Sequence, residues 1–191
     1  MNAVELRNVT KAYGDKVVLD SLRLTLAPGG RYALMGPSGR GKTTLLRLLA
    51  GLESPDAGEI LGRAGLRASM QFQEDRLLDY AGALANVRFV LPRGASDADA
   101  RALLAELLPG ASLDRPVADF SGGMRRRVAL ARAVAAPSEL VLLDEPFTGL
   151  DADAKVRAAR AIAPRLRGRT LVMATHDEEE AALCGAEIVR I

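Results

Sequence analysis

Cysteine, histidine and tryptophan are almost missing from this chain of 191 residues, which has one Cys, one His and no Trp. The lone Cys184 excludes a disulfide framework and a cysteine-based metal site. We expect it to be a small buried apolar residue or an inert surface thiol. Because aromatic residues make up only 4% of the chain, the core must be built from aliphatic side chains. This composition favours a packed α/β domain over an aromatic-rich β-sandwich.

Long hydrophobic runs and an excess of one charge are also missing. Residues 1–10 include charged side chains instead of the apolar block of a signal peptide, and no stretch approaches the roughly 20 apolar residues that cross a bilayer. We therefore expect an intracellular protein whose membrane role depends on a partner. The net charge is +2, from 26 basic and 24 acidic residues mixed along the chain. That balance argues against a nucleic-acid partner.

Segments with strand and helix patterns alternate along most of the chain. Strands are predicted at residues 4–9, 17–19, 22–26, 31–35, 69–72, 140–143, 170–174 and 187–191. Helical patterns cover residues 42–50, 80–108, from the Ser-Gly-Gly at 121–123 to about 136, and 153–166, the last ended or kinked by Pro164. This alternation predicts a mainly parallel sheet with helices on both faces and a helical insertion in the middle.

Three polar segments have plain structural interpretations. Ser96 is predicted to be a helix N-cap, with Asp97 and Asp99 in the first turn, where the helix dipole favours acids. The basic run at residues 125–127 is predicted to be a solvated helix face. The acidic run at residues 178–180 is predicted to be a solvated helix start.

A glycine-rich motif follows the strand predicted at residues 31–35. It fits G-x-x-x-x-G-K-[ST] and consists of Gly36, Pro37, Ser38, Gly39, Arg40, Gly41, Lys42 and Thr43, followed by Thr44. Glycines allow successive N–H groups to point at a phosphate, and the next helix adds its positive end. Lys42 would reach the β and γ phosphates, and the Thr43 hydroxyl would face Mg²⁺. An ordinary Gly-rich turn is the alternative, but the strand before and the helix after favour nucleotide binding.

Polar residues also follow three other predicted strands. Asp144 and Glu145 end the apolar run at 140–143, where they could hold Mg²⁺ and act as general base. His176 follows residues 170–174 and could lie near the γ-phosphate, although a structural or surface histidine is the alternative. Gln73 follows residues 69–72 and could ligate Mg²⁺ or position the attacking water. A solvated turn is the alternative for the acidic pair.

These motifs, in this order, resemble the nucleotide-binding subunits of ABC transporters. The deciding feature is the segment Phe120, Ser121, Gly122, Gly123 and Met124, which is similar to the family signature, and residues 125–133 match its usual continuation. The other matches are Tyr13 as the aromatic residue that stacks on adenine, Gln73 in the Q-loop, residues 147–151 with Asp151 as the D-loop, and His176-Asp177 as the switch histidine. Met124 stands where Gln is usual, and Phe120 where Leu is usual.

The resemblance implies a fold, cofactors and partners. The fold would be α/β: a P-loop NTPase core with a mainly parallel sheet flanked by helices, an N-terminal antiparallel β subdomain and an inserted α-helical subdomain. Residues 1–73 and 137–191 would form the core, and residues 74–136 the helical subdomain, within one ABC ATPase domain at 1–191. The cofactors would be ATP and Mg²⁺.

It also implies an assembly. Ser121, Gly122 and Gly123, together with Asp151, would meet the ATP held by the opposite subunit, so the active form would be a homodimer or a heterodimer with a second ATPase subunit. Glu145, His176, Lys42 and Gln73 would be the catalytic residues. The partners would be integral membrane permease subunits, with a solute-binding protein in addition, and the protein would sit on the cytoplasmic face of the membrane.

Within the family, residues 72–78 and the run at 122–125 resemble importers of nitrate, taurine and alkyl sulfonates. A soluble ABC ATPase that acts on DNA or ribosomes is a second hypothesis. A binding module without catalysis is a third, disfavoured by the intact Lys42, Asp144, Glu145 and His176.

Overall fold

Two β-sheets and six α-helices make up the fold of the residues that the structure describes. The structure, a computed structural model, describes residues 2–191, so Met1 of the predicted domain lies outside it. The strands are β1 (Val4–Tyr13), β2 (Lys16–Leu26), β3 (Arg31–Met35), β4 (Ala57–Leu61), β5 (Ala68–Gln71), β6 (Leu140–Asp144), β7 (Thr170–Ala174) and β8 (Glu187–Arg190). The helices are α1 (Lys42–Ala50), α2 (Ala83–Arg88), α3 (Ala98–Leu107), α4 (Gly122–Ala135), α5 (Ala152–Ile162) and α6 (Glu178–Leu183), with 3₁₀ turns at Val117–Asp119 and Ala163–Leu166.

The larger sheet has five parallel strands in the order β5-β6-β7-β3-β8. Every residue of β6 and β7 is buried, which explains why the two strands lack alternation: both faces of a parallel sheet are covered. The connections between these strands contain helices, as parallel pairing requires. The predicted α/β fold with a mainly parallel sheet is therefore confirmed.

The smaller sheet is antiparallel, with the order β2-β1-β4. The strands predicted at 17–19 and 22–26 are one strand, β2, which continues through Ser21 in a left-handed conformation (φ 49°). Strand β4 was not predicted, because its first three residues are exposed and contain a glycine instead of an alternating apolar pattern. The sequence of β4 becomes a strand by pairing with β1.

Helix α1 lies in a core shared by the two sheets. Its leucines, including Leu45 and Leu49, pack with Leu6 of the antiparallel sheet and with Leu34 and Leu142 of the parallel sheet. A second core joins the other face of the parallel sheet to the helices that follow β5. The antiparallel sheet is thereby anchored next to the segment that connects β3 to α1.

The segment between β5 and β6 is helical, with one correction. The stretch predicted as helical at 80–108 contains two helices, α2 and α3, separated by a loop with Pro92 and Gly94. The N-cap position of α3 is Asp97 instead of Ser96, whose hydroxyl accepts a hydrogen bond from the Ala98 amide at 3.2 Å. Ser96 therefore still accepts a hydrogen bond from the start of α3, but it does so from the residue before the N-cap.

Helix α5 ends as predicted. It runs to Ile162 and gives way to the 3₁₀ turn that contains Pro164, because proline cannot continue the helical hydrogen-bond ladder. Within residues 2–191, no helix is both long enough and apolar enough to span a membrane.

Candidate functional site

Four adjacent strands of the parallel sheet end in predicted site residues. In spatial order, β5 leads to Gln73, β6 ends at Asp144 with Glu145 next, β7 leads to His176, and β3 leads to the Gly36 loop. Because parallel strands present all their carboxyl ends at one edge, residues far apart in sequence meet there. The consecutive strands β7 and β8 lie on opposite sides of β3, so the strand order reverses there, and a crevice forms at such a switch point.

The phosphate-loop motif forms a tight turn from β3 into α1. Gly39 and Gly41 have φ angles of 80° and 89°, which favour glycine, and a Cβ on Gly41 would lie 2.6 Å from the Val18 carbonyl oxygen. The Lys42 side chain is buried within the loop, where its Nζ donates hydrogen bonds to the carbonyl oxygens of Gly36 (2.6 Å) and Pro37 (3.1 Å). The loop therefore places a cation and the positive end of α1 at one point.

The Asp144 carboxylate is suited to hold a metal ion. It is 2% exposed, and its Oδ2 has no hydrogen-bond partner among residues 2–191. Burial raises the pKa of Asp144 above its usual range, a hydrogen bond with Thr43 opposes the shift, and the charge of Glu145 adds to it. A buried carboxylate with an unpaired oxygen next to a threonine hydroxyl offers the hard oxygen donors that Mg²⁺ prefers. Thr43 and Asp144, with the Gln73 carbonyl oxygen nearby in the same cavity, fit this ion.

Glu145 is held in a strained conformation beside His176. Its φ is 49°, a left-handed value that is costly for a residue with a Cβ. One carboxylate oxygen accepts a hydrogen bond from the Thr148 hydroxyl at 2.9 Å and lies 3.5 Å from Nδ1 of His176. The side chain of His176 is 70% exposed. The strained backbone aims an acidic group across the crevice, where it could take a proton from a water molecule.

A cavity of about 370 Å³ connects these groups to the antiparallel sheet. Its walls include Tyr13, Lys16, Val18, Ser38, Gly39, Gly41, Lys42, Thr43, Thr44, Gln73, Asp144 and Glu145. Tyr13 is 46% exposed at its rim, and its hydroxyl is hydrogen-bonded to Glu53, which also accepts from Arg47 at 3.4 Å. An exposed ring at one end and a phosphate-binding loop at the other match the two ends of a nucleotide.

Other predicted site residues lie outside this cavity wall. Arg40 lines a neighbouring cavity with Lys16 and Gly39, and Gly36 and Pro37 serve through the carbonyl oxygens that bind Lys42. Asp151 caps α5, since its Oδ1 accepts from the Ala154 amide at 2.7 Å.

The predicted signature residues form a separate feature on the same chain. Ser121 caps α4, and its hydroxyl accepts from the Met124 amide at 3.3 Å. Gly122 has open space where a Cβ would point, and Gly123 lies against Gly149 and Leu150, next to Asp151. The hydroxyl and the α4 N-terminus therefore stand on a surface that does not line the cavity of their own chain.

The basic run on α4 is not a solvated face, and that prediction is wrong. Arg125 binds the carboxylate of Asp79 (2.8 Å) and the carbonyl oxygen of Val117, while Arg126 binds the Phe72 carbonyl and lies 3.5 Å from Asp75. Arg127 donates to the carbonyl oxygens of Gly123 and Leu107. The contacts of Arg125 and Arg126 with Phe72, Asp75 and Asp79 join α4, which begins at the signature residues, to the loop that contains Gln73.

Sequence reasoning missed two groups at the site. Lys16 and Val18 line the cavity, but an antiparallel strand pattern gives no sign that they face a ligand. Glu180, predicted to be solvated, is 3% exposed and contacts Lys155 at 2.7 Å. Its contact with a lysine far away in sequence could not be inferred from a short acidic run.

Comparison with known proteins places these features in one family. Residues 19–148 match the family described as ABC transporter. The chain is 44% identical over 190 residues to the aliphatic sulfonates import ATP-binding protein SsuB 1 of Nocardia farcinica, covering 98% of this chain and 77% of that protein. It is 42% identical over 198 residues to the Fe(3+) ions import ATP-binding protein FbpC 3 of Rhodococcus jostii, covering 94% of this chain and 56% of that protein.

A solved structure agrees with the sequence comparison. The dimeric post-hydrolysis structure of the ATP-binding cassette MJ0796 with ADP and Pi superimposes with a TM-score of 0.85 at 28% identity, covering 98% of this chain and 94% of that one. The fold, the loop that could hold phosphates and the family match lead to one conclusion. This chain belongs to the ABC transporter family, as an ATP-binding and ATP-hydrolysing subunit.

Proposed function

We propose that this chain hydrolyses Mg²⁺-ATP in a two-subunit sandwich and thereby powers import of a solute through membrane permease subunits. The observation that carries the proposal is the convergence of Lys42, Asp144, Glu145 and His176 at one edge of the parallel sheet, with the Ser121 surface elsewhere on the chain. The sheet edge offers groups suited to bind and cleave ATP, and the Ser121 surface offers groups suited to bind an anion. Neither of the two encloses a nucleotide alone.

The catalytic residues are Glu145, His176, Lys42 and Gln73. Glu145 accepts a proton from the attacking water, because its carboxylate lines the cavity and is oriented by Thr148. Lys42 places its charge at the β and γ phosphates, and His176, beside Glu145, faces the γ-phosphate. Gln73 positions the water from the end of β5.

Thr43, Gln73 and Asp144 would hold Mg²⁺, which would supply positive charge to offset the charge of the phosphates. The unpaired Asp144 Oδ2 supports this assignment, since an unsatisfied buried carboxylate oxygen is costly without a cation. Tyr13 stacks on adenine at the rim. The main-chain N–H groups of the phosphate loop, together with the side chains of Ser38, Arg40, Thr43 and Thr44, surround the phosphates.

Ser121, Gly122, Gly123 and Asp151 complete the site of a second subunit. Their surface offers a hydroxyl, main-chain N–H groups and the N-terminus of a 14-residue helix, which together attract an anion. Residues of this surface do not line their own cavity, so a head-to-tail pair of subunits is needed to bring both halves together. The dimeric arrangement of the MJ0796 cassette supports this assembly. The second subunit is either a copy of this chain or a related ATPase.

The membrane partner binds the loop that follows Gln73 and the helices after it. Leu78, Tyr80 and Phe89 are 46%, 96% and 74% exposed, a group of large apolar side chains that a permease would cover. Arg125 and Arg126 connect that loop to the start of α4. A movement of the Ser121 surface on ATP binding would therefore reach the permease. In this scheme the core comprises residues 1–73 and 137–191, and the helical subdomain residues 74–136.

The names of the relatives suggest the direction and the cargo. SsuB 1 of Nocardia farcinica imports aliphatic sulfonates and FbpC 3 of Rhodococcus jostii imports Fe(3+) ions, according to their names. We assign import of an organic sulfonate to this chain, because the sulfonate relative is more similar and more of its length is matched. The subunit would sit on the cytoplasmic face of the membrane through its permease, with a solute-binding protein delivering cargo. The alternative role on DNA or ribosomes is disfavoured by this similarity to importers.

Glu145→Gln tests the core of the proposal. Removing the general base should lower the ATPase rate by at least roughly 100-fold while ATP binding persists, so the variant should form a dimer in Mg²⁺-ATP, seen by size-exclusion chromatography. Glu187→Gln, at the exposed start of β8, is the matched control and should keep wild-type activity. A wild-type ATPase rate in Glu145→Gln would refute the assignment of the base.

Transport needs its own test. Tagged chain expressed in its native cell should retain permease subunits, and Tyr80→Ser combined with Phe89→Ser should release them while ATP binding persists. Uptake of a radiolabelled alkyl sulfonate should fall in the same cells, and uptake of ferric iron should not. Recovery of ribosomes or DNA in place of membrane proteins would refute the transport role.

A further inference from the structure

His176 belongs to a loop in which the residues before and after it, Thr175 and Asp177, are held by one network of hydrogen bonds and ion pairs. The preceding residue, Thr175, is fully buried, and its hydroxyl donates to Glu180 at 2.5 Å and accepts from the Asp177 amide at 3.1 Å. The histidine side chain itself is exposed, and its one polar contact within the described part of the chain is with Glu145. The direction of the His176 side chain is therefore set by the main chain at Thr175 and Asp177.

Lys155 of α5 closes this network. Its Nζ lies 2.8 Å from Asp177 and 2.7 Å from Glu180, so one ammonium group binds the residue after His176 and the carboxylate that holds Thr175. Glu180 is 3% exposed, and a buried carboxylate without a cation is strongly unfavourable. Removing either partner alone would leave an uncompensated charge at this largely buried position.

The position of Lys155 links two parts of the proposed machinery. It lies one turn after Asp151, and its amide donates to the Asp151 carbonyl oxygen at 2.9 Å. The start of α5 and the loop of His176 are therefore tied by two short ionic contacts within one chain.

We propose that Lys155 and Glu180 are positioning residues for ATP hydrolysis, which hold His176 at the γ-phosphate and make its loop move together with the start of α5. The inference rests on the proposed role of His176. Neither residue lines the cavity proposed for the nucleotide, so we expect them to act on the turnover step and not on affinity.

Kinetics give the first test. Lys155→Met combined with Glu180→Gln removes both charges, and Gln can still accept from Thr175, so the fold survives. We expect kcat per folded molecule to fall about 10-fold or more, while KM for ATP changes less than about 2-fold. The single variant Lys155→Arg should keep most of the wild-type rate, because it keeps the positive charge beside Glu180. The control is Arg160→Met, an exposed residue of the same helix. A wild-type kcat in the folded double variant would overturn the proposal.

A second measurement separates this inference from the role of His176. His176 is the only histidine, so its imidazole Cε1–H signal in tag-free protein reports on one residue by NMR. The signal should shift in the double variant and stay unchanged in Arg160→Met. An unchanged signal in the double variant would overturn the positioning role.

His176→Ala completes the test. In that background the double variant should lower kcat by less than about 2-fold more, because both changes act through one group. A further 10-fold loss would overturn the proposal. If His176→Ala alone kept the wild-type rate, the proposed catalytic role of His176 would fail, whatever the NMR signal showed.

Discussion

The two ends of the parallel sheet are built in opposite ways. At the amino ends of β5, β6 and β7, polar groups are paired: Arg67 binds Glu139 at 2.7 Å, and Arg169 donates to the carbonyl oxygens of Val134 and Ser138 at 2.6 and 2.8 Å. At the carboxyl ends, Asp144 keeps a buried oxygen that no described residue pairs with, and the backbone of Glu145 is strained. The amino end stabilises the fold, whereas the groups at the carboxyl end lower the stability and form a candidate site.

The largest expected effect is at the carboxyl end. Asp144→Asn should reduce Mg²⁺-dependent ATPase activity by at least roughly 100-fold, the scale of losing a charge-stabilising group, and should raise Tm of the nucleotide-free protein. Burial raises the pKa of Asp144 above 3.8, so its ionisation opposes folding. The Tm difference between Asp144→Asn and the wild type should appear as the pH rises above 3.8 and should reach its full size above the raised pKa of Asp144. Calorimetry over a pH series measures it.

The exposed loop residue Asp114 provides the control for Asp144, and Asp114→Asn should change neither quantity. A lower Tm for Asp144→Asn at neutral pH would mean that this carboxylate stabilises the free protein, and the contrast between the two ends would fail.

The next effect is at the amino end. Arg169→Met leaves several carbonyl oxygens near the end of α4 without their donor, so the free energy of unfolding should fall by about 3 kcal/mol. The ATPase rate per folded molecule should stay at the wild-type level. Urea unfolding followed by circular dichroism measures the loss, with the exposed Arg167→Met as control. If Arg169→Met kept wild-type stability but hydrolysed ATP more slowly, the amino end would serve the reaction and not the stability of the fold.

Backbone strain gives a third, smaller test. Alanine normally stabilises relative to glycine, but at Glu145 the positive φ should invert the order. Glu145→Gly should therefore be more stable than Glu145→Ala by about 1 kcal/mol. At the amino end, Glu139→Ala should be more stable than Glu139→Gly. Chemical denaturation compares the four variants, and the same order at both positions would show that strain is absent from Glu145.

The smallest effect is electrostatic. Hydrogen bonds from Arg67 lower the pKa of Glu139 from 4.5 to about 2, so its ionised form favours folding. That contribution is complete above the ordinary value and is lost as the pH falls from there towards about 2. Glu139→Gln should thus lose less stability than the wild type between pH about 6 and pH about 3, as urea midpoints would show. Parallel pH profiles would contradict the prediction.

Most site residues at the carboxyl end were predictable from the sequence, whereas the polar pairing at the amino end was not. Glycine spacing and the acidic pair after an apolar run are local patterns, and the rule that parallel strands share an edge brings Lys42 and Asp144 together. Arg169 at the amino end and Glu180 beside the His176 loop have no such pattern, because their partners are fixed only by the packing of α4 and α5 against the sheet. Strand β4 was missed for the same reason, since its neighbour β1 determines its conformation.

The separation of Ser121 from Lys42 on one chain has a genetic consequence. If each ATP lies between the loop of one subunit and the Ser121 surface of the other, a Lys42→Ala chain and a Ser121→Arg chain are each inactive as pure dimers. A mixed dimer would combine both defects in one site and leave the other intact. If one intact site is enough for turnover, two null alleles would therefore complement each other in one cell, although each alone abolishes transport.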